Sequence, residues 1–259
     1  MATKQFIGAS PYVDNDKRRH DPSDFRYQEY TENVSCDLSN VGAPISLAIF
    51  GLGRAGSIHL ANIIANPRVK VLYIVEADKS KWEPVKMKWS LEVTKFIHPD
   101  TAEEVYNDKS VDACFITTPT FTHEEFIVKS LEAGKAVFSE KPIAEKPSGT
   151  ARCYKKADEV GKPLFCAFNR RFDPSFNTIR NRVQAGEVGH IKMIKTTSRD
   201  SPLPSLDYLK ISGGIFHDCA VHDIDLVTWI LGEYPVKVRT KVNYNILYVF
   251  SRCTPQPRA

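Results

Sequence analysis

Gly51, Gly53 and Gly56, within IFGLGRAGSIH (residues 49–59), match the spacing G-x-G-x-x-G. Such a turn asks something different of each glycine: a tight bend, a close backbone approach to a pyrophosphate, and tight helix-to-strand packing. Alone, the match separates poorly from a turn whose glycines only help a strand meet a helix. The surroundings favour the nucleotide. The turn follows the apolar run ISLAIF and opens a helical stretch, so Gly53, Arg54 and Ala55 would bring backbone amides toward phosphate. The next apolar run ends at Glu76, twenty residues after Gly56, where a carboxylate is expected to bond both hydroxyls of an adenosine ribose. An acid there repels a 2′-phosphate, which favours NAD over NADP, although Lys79 and Lys81 are close in sequence.

Two further groups do not declare their chemistry in isolation. Glu140-Lys141-Pro142, in FSEKPIA, reads alone as a surface charge pair before a turn. At the end of a fifth expected strand it would instead face the crevice where ligands sit in open α/β sheets. Asp218 and His222 are four residues apart, so on a helix they share a face, and a carboxylate there can fix an imidazole's tautomer. Such a pair is more often a solvated contact. Here Ile224, Val227 and Leu231 form an apolar stripe, and Gly213-Gly214 upstream would let backbone pass close to a ligand. Asp223 and Asp225 read as helix surface or loop anchors, Asp225 with a possible reach to a substrate hydroxyl. No elbow motif suggests a serine or cysteine nucleophile.

The elements that must position these groups follow from the hydrophobic pattern. From Ile45 onward, ISLAIF, VKVLYIV, VDACFIT and AVFSE alternate with helical stretches such as HLANIIAN, KSKWEPVKMKW, TAEEVYN and HEEFIVKSLEAG. That rhythm predicts a parallel sheet covered on both faces, and the near-continuous apolar strands fit burial on both sides. After GKPLFCAF the rhythm is lost. A helix over PSFNTIRNRVQAG leads to HIKMIKTTSRD, expected as a strand of another kind of sheet. A loop with Pro202 and Pro204 follows, then a helix over FHDCAVHDIDLVTWILG and the alternating strand VKVRTKV.

Three segments result: a loose polar extension over 1–43, a doubly wound Rossmann domain over 44–165, and an α+β domain with a largely antiparallel sheet over 166–259. The extension carries too many acids for a transit peptide. The 259 residues, 42% hydrophobic and 25% charged, are ordinary for a globular chain of one or two domains. A net charge of +4, spread over 35 basic and 31 acidic residues, concentrates no field for nucleic acid or an anionic membrane. The six cysteines show no Cys-x-x-Cys pair and no zinc-type histidine pattern, which implies free buried thiols and no metal site. The first fifteen residues lack an export-type apolar core and no later apolar run could cross a bilayer. The expectation is a soluble, cytoplasmic protein.

With these motifs in this order, the chain resembles the oxidoreductase family of glucose-fructose oxidoreductase and myo-inositol dehydrogenase. The resemblance rests on GLGRAGSIHLANI, TTPTFTH (residues 117–123), SEKPIA, AFNRRFDPSF (167–176) and GGIFHDCAVHDIDLVTWILGE (213–233), and runs from about Ile45 to about Val242. Within the family it is most similar to the inositol 2-dehydrogenases. It implies a catalytic trio of Lys141, Asp218 and His222. It also implies a nicotinamide side lined by Thr117, Pro119 and His123, with Glu140 and Lys141 adjoining the cofactor, and a substrate pocket near Asn169 and Arg170. The implied reaction is NAD-dependent oxidation of a ring secondary alcohol of a polyol or sugar, myo-inositol foremost, with His222 as base and Lys141 on the developing alkoxide. Family members are usually homo-oligomers.

After VKVRTKV the resemblance stops: NYNILYVFSRCTPQPRA, from about residue 243, matches nothing expected of the family, whose second domain continues with several strands. A buried aliphatic or aromatic side chain contributes roughly 1.5–3 kcal/mol against a domain margin of about 5–15 kcal/mol, so a shortened sheet would be costly. This leaves three expectations open: an active dehydrogenase, an NAD-binding regulator without turnover, and an inert shortened product.

Overall fold

A computed structural model of the protein describes residues 44–199, 209–210, 212–243 and 246–252. The extension over 1–43, the loop with Pro202 and Pro204, and the tail from 253 lie outside the described residues. The chain divides into two compact units, with the break between Ala167 and Phe168.

The first unit alternates strands and helices: β1 (Ile45–Phe50), α1 (Arg54–Ile64), β2 (Val69–Val75), α2 (Trp82–Trp89), β3 (Lys95–Ile97), α3 (Glu103–Asn107), β4 (Ala113–Ile116), α4 (Thr120–Glu132), β5 (Ala136–Ser139), α5 (Pro147–Val160) and β6 (Leu164–Cys166). The strands form one parallel sheet in the order β3-β2-β1-β4-β5-β6. This is the doubly wound order of a Rossmann fold, in which the chain reverses direction across the sheet between β1 and β4. Burial on both faces explains why β1 is apolar from Leu47 to Phe50. Ala48 and Phe50 enter one core cluster, with Cys114, Ile116, Ile127 and Leu131, while Ile49 enters a second on the other face, with Leu60 and Ile74. A strand covered on both faces has no use for a polar alternate residue.

In the second unit a single helical turn (Asn169–Phe172) leads into α6 (Pro174–Gln184), which packs on α7 (Val221–Leu231) through Val183, Leu226, Ile230 and Leu231. Asp173 caps α6 by accepting from the amides of Ser175 and Phe176. The end of α7 is tied down from α6: the Arg180 guanidinium lies over the Trp229 ring at 4.9 Å, and Gln184 Nε2 donates to the Ile230 carbonyl at 3.0 Å. The strands β7 (Lys237–Asn243) and β8 (Ile246–Arg252) form an antiparallel pair. The apolar run after VKVRTKV is thus a strand that folds back on its predecessor.

Two expectations change. Residues 191–199 form no strand. Ile191 and Ile194, three residues apart, pack against the α6–α7 cluster instead, while Met193 is 84% exposed, so the alternation that a strand requires is absent. The helix expected over FHDCAVHDIDLVTWILG also begins with a wide π turn at Phe216–Ala220. Among the described residues no helix is long and apolar enough to cross a membrane.

The described cysteines Cys114, Cys153, Cys166 and Cys219 are free, and the first two are buried. Burial pushes the Cys114 thiol up to about 11, and burial together with the Glu124 charge does the same at Cys153. Since the thiolate is the nucleophile, peptide mapping after maleimide treatment at neutral pH should find both residues unlabelled in native protein and both labelled in urea. Rapid native labelling of either would contradict the packing described here.

Candidate active site

In the first unit the site starts where β1 ends. Gly51 holds a φ of +90°, a region that L side chains avoid, and a Cβ there would lie 2.9 Å from the Thr117 carbonyl oxygen. At Gly56 the constraint is distance: a Cβ would stand 2.2 Å from the Gly51 carbonyl oxygen and 2.7 Å from Thr117 Oγ1. Gly53 differs from both. Its φ of −72° suits any residue, and a Cβ added there would meet no atom within 4 Å. Nothing among the described residues requires glycine at that position; it leaves open ground at the start of α1. No side chain caps α1 and no acid occupies its first turn, so its amide end is left for an anion. Arg54 is exposed and Ala55 half-buried beside this opening.

Glu76 is buried at the end of β2. Its Oε2 accepts from the Leu52 amide at 2.6 Å, and Oε1 accepts from the Asp78 amide at 2.9 Å and from Lys81 Nζ at 3.3 Å. A carboxylate offers about four acceptor positions, so the structure leaves about one. Gripping both ribose hydroxyls requires Lys81 to release its bond. The nearby cations are occupied, since Lys81 pairs with Glu76 and Asp78 while Lys79 lies over the Trp82 ring. The Ser80 hydroxyl and amide hold the Asp78 carboxyl below its ordinary range. Glu76 and Asp78 thus bring two carboxylates together just beyond β2.

Thr117 and His123 brace this crevice from behind. The buried Thr117 hydroxyl lies 2.9 Å from the carbonyl oxygens of both Phe50 and Gly51. The His123 ring is buried, with Nδ1 2.8 Å from the Pro142 oxygen and Nε2 2.8 Å from the Thr118 oxygen. Pro119 caps α4. The polar atoms of Thr117 and His123 are committed to the chain, so what they offer a cofactor is the placement of two loops.

Lys141 follows β5 and is half-buried, with a cis peptide bond to Pro142. Its amide donates to Glu140 Oε2 at 3.1 Å, and Glu140 Oε1 lies 2.7 Å from His59 Nε2. Burial alone would push the Glu140 carboxyl up; the hydrogen bonds from His59 and the Lys141 amide outweigh it and hold the carboxyl below its usual value.

The second unit contributes its own polar cluster. Arg170 Nη1 donates to Asp223 Oδ1 at 2.8 Å, and Ser198 Oγ donates to Asp223 Oδ2 at 2.6 Å. Arg171 grips the buried Asp225 in a fork, Nε to Oδ2 at 2.9 Å and Nη2 to Oδ1 at 2.5 Å. Asp225 is therefore an anchor, which was one of the two expectations for it. Arg170, Phe176, Lys195, Ser198, Asp223 and Leu226 line a cavity of about 530 Å³. Asn169 is exposed at the start of the same turn as Arg170. The His222 ring stands edge-on to Phe168 with centroids 6.4 Å apart. Asp218 lies in the π turn and His222 in the first turn of α7, so four residues here span a turn wider than the 3.6 residues of an α-helix.

Residues that the motif reading missed are His59, Arg171 and Ser198. His59 had a signal: it follows Gly56 by three residues, on the helix face turned toward the sheet. Arg171 and Ser198 had none, since their partners lie 54 and 25 residues away.

Two profiles match the chain: residues 45–168 fit the oxidoreductase family's NAD-binding Rossmann fold, and residues 176–247 fit the GFO/IDH/MocA C-terminal domain. Among curated relatives, an inositol 2-dehydrogenase of Rhizobium meliloti is 34% identical over 194 residues, 75% of this chain and 57% of the relative. A scyllo-inositol 2-dehydrogenase (NAD(+)) of Bacillus subtilis is 34% identical over 189 residues, 73% of this chain and 54% of the relative. The solved scyllo-inositol dehydrogenase of Lactobacillus casei, with bound NAD(H) and scyllo-inositol, superposes with a TM-score of 0.70 at 28% identity, covering 78% of this chain and 61% of that one. The chain thus spans less than two thirds of the length of each.

The glycine geometry makes a contrast that denaturation can read. Gly56→Ala must push apart the Gly51 carbonyl and should cost about 1–3 kcal/mol, as overpacking does. Gly53→Ala, which enters open space, should cost no more than about 1 kcal/mol, the scale of a cap change. Equal urea midpoints for the two variants would contradict this division of roles.

Proposed function

The chain belongs to the Gfo/Idh/MocA oxidoreductase family, and from that premise we propose that it binds NAD in its first unit and oxidises a secondary alcohol of a cyclic polyol, an inositol foremost. The observation that carries this reading is the open side of Gly53 at an uncapped helix start, a cradle that the protein's own packing does not need. The residues present fit the cofactor. Amides at Gly53, Arg54 and Ala55 would face the pyrophosphate, and Glu76 would take a ribose hydroxyl. The second acid, Asp78, adds to the preference for NAD over NADP. The names of the relatives support the polyol.

Bound NAD would supply the hydride acceptor. The remaining chemistry falls to side chains. Loss of hydride from a carbinol carbon leaves a hydroxyl proton to be removed and negative charge growing on its oxygen. His222 accepts that proton as general base, and Asp218 sets the orientation of its ring. The Lys141 ammonium bonds the developing alkoxide. Arg170, itself held by Asp223, presents N–H donors toward the substrate hydroxyls from the lining of the second unit's cavity, with Asn169 beside it. The products are a cyclic ketone, NADH and one proton.

Titrating the protein with NAD and then adding myo- or scyllo-inositol should produce NADH absorbance. Lys141→Ala should lower turnover at least a hundredfold, in the range seen when a group that stabilises developing charge is removed, while NAD still binds within about threefold of the original affinity. NAD binding with no NADH from any polyol would overturn the dehydrogenase and leave a nucleotide-binding regulator. Absence of NAD binding would overturn both.

A further inference from the structure

We infer that His59 is a positioning residue for Lys141, acting through Glu140; the catalytic part of this inference rests on the function proposed above. His59 stands in the middle of α1, one and a half turns beyond the glycine turn, and its ring is held on two sides by aromatic neighbours. Phe115 at the end of β4 lies 5.1 Å away between centroids and Phe138 at the end of β5 lies 5.5 Å away. Those two phenyl rings stack on each other at 3.9 Å, so the imidazole rests on a rigid aromatic floor.

From that floor Nε2 reaches Glu140 Oε1 at 2.7 Å. The other oxygen of the same carboxylate accepts the Lys141 amide at 3.1 Å, and the Glu140 amide is fixed to the Ile116 carbonyl at 2.8 Å. An ionised carboxylate only accepts, so one oxygen needs the donor that His59 supplies while the other orients the peptide from which the Lys141 side chain departs. The clamp runs from helix to carboxylate to backbone, and it begins on the same helix whose first turn faces the proposed pyrophosphate. At 1.5 Å per residue, the six residues from Gly53 to His59 span roughly 9 Å. One helix therefore carries both the proposed pyrophosphate contact and the support of Lys141.

The clamp explains why a histidine stands here. A longer, flexible donor such as lysine could pair with Glu140, but it would neither pack a ring against Phe115 and Phe138 nor hold the carboxylate in one place. A phenylalanine would keep the ring contacts and lose the donor, while a glutamine would keep a donor of similar reach and lose the ring.

These two variants make the test. With His59→Phe, the amide of Lys141 should exchange with deuterium about tenfold faster than in the original protein, while amides of β4 and β5 keep their rates. Turnover should fall about ten- to a hundredfold, as misplacement of a catalytic group does, with the NAD dissociation constant within about twofold. His59→Gln should restore both exchange and turnover to within about threefold. Unchanged exchange at Lys141 in His59→Phe would overturn the inference, and so would an equal rise across β4 and β5, which would make His59 a packing residue. Should the original protein form no NADH from any polyol, the proposed function fails and the catalytic part of this inference with it, while the exchange arm still decides whether the clamp exists.

Discussion

The molecule's chemistry depends on one close contact: the approach of Gly56 to the Gly51 carbonyl, beneath which the Thr117 hydroxyl bridges the Phe50 and Gly51 oxygens. Any side chain at position 56 would push α1 away from the end of β1. With glycine there, the helix starts directly above the sheet, and three consequences follow from its placement. Its amide end opens on the bare side of Gly53, the Leu52 amide comes within 2.6 Å of the Glu76 carboxylate, and His59 lands on the aromatic pair at the ends of β4 and β5. A single backbone contact thus places the open start of α1, the Glu76 carboxylate and the support of Lys141.

The two units use different physics to hold their polar groups. In the first, the parallel sheet does the placing: every strand ends at the same rim, so Gly51, Glu76, Thr117 and Lys141 arrive there from β1, β2, β4 and β5 without long side-chain bridges. In the second, the turn before α6 and the helix α7 are joined by ion pairs, Arg170 with Asp223 and Arg171 with the buried Asp225. The Arg171 fork is the more specific constraint, because two parallel hydrogen bonds fix the guanidinium on the buried Asp225 carboxylate. Asp223 is more exposed than Asp225, and its partner Arg170 lines the second unit's cavity.

Much of the first unit was legible in the sequence because its rules are local. Strands buried on both faces are nearly continuous in apolar residues, and the contact of Gly56 with the Gly51 carbonyl lies within the motif itself. Glu76 was found by its distance from that motif, but its bonds to Asp78 and Lys81 were not, because occupancy of a carboxylate depends on how the next turn folds. The second unit was harder to read. HIKMIKTTSRD has the composition of a strand, yet a strand also needs a partner, and its isoleucines went to the helix pair instead. The π turn ahead of α7 left no sign in a sequence whose apolar stripe is regular. His59 lies on the helix that the glycine turn opens, but its partner Glu140 is 81 residues away, beyond any local pattern.

The central claim is that the uncapped start of α1, opened by Gly53, receives the pyrophosphate of NAD. Backbone amide chemical shifts followed by NMR during an NAD titration test it most directly. The account predicts the largest changes at Gly53, Arg54 and Ala55, with a second set at Leu52 and Asp78 around the Glu76 carboxylate. Saturable shifts elsewhere that leave these amides unmoved would contradict it.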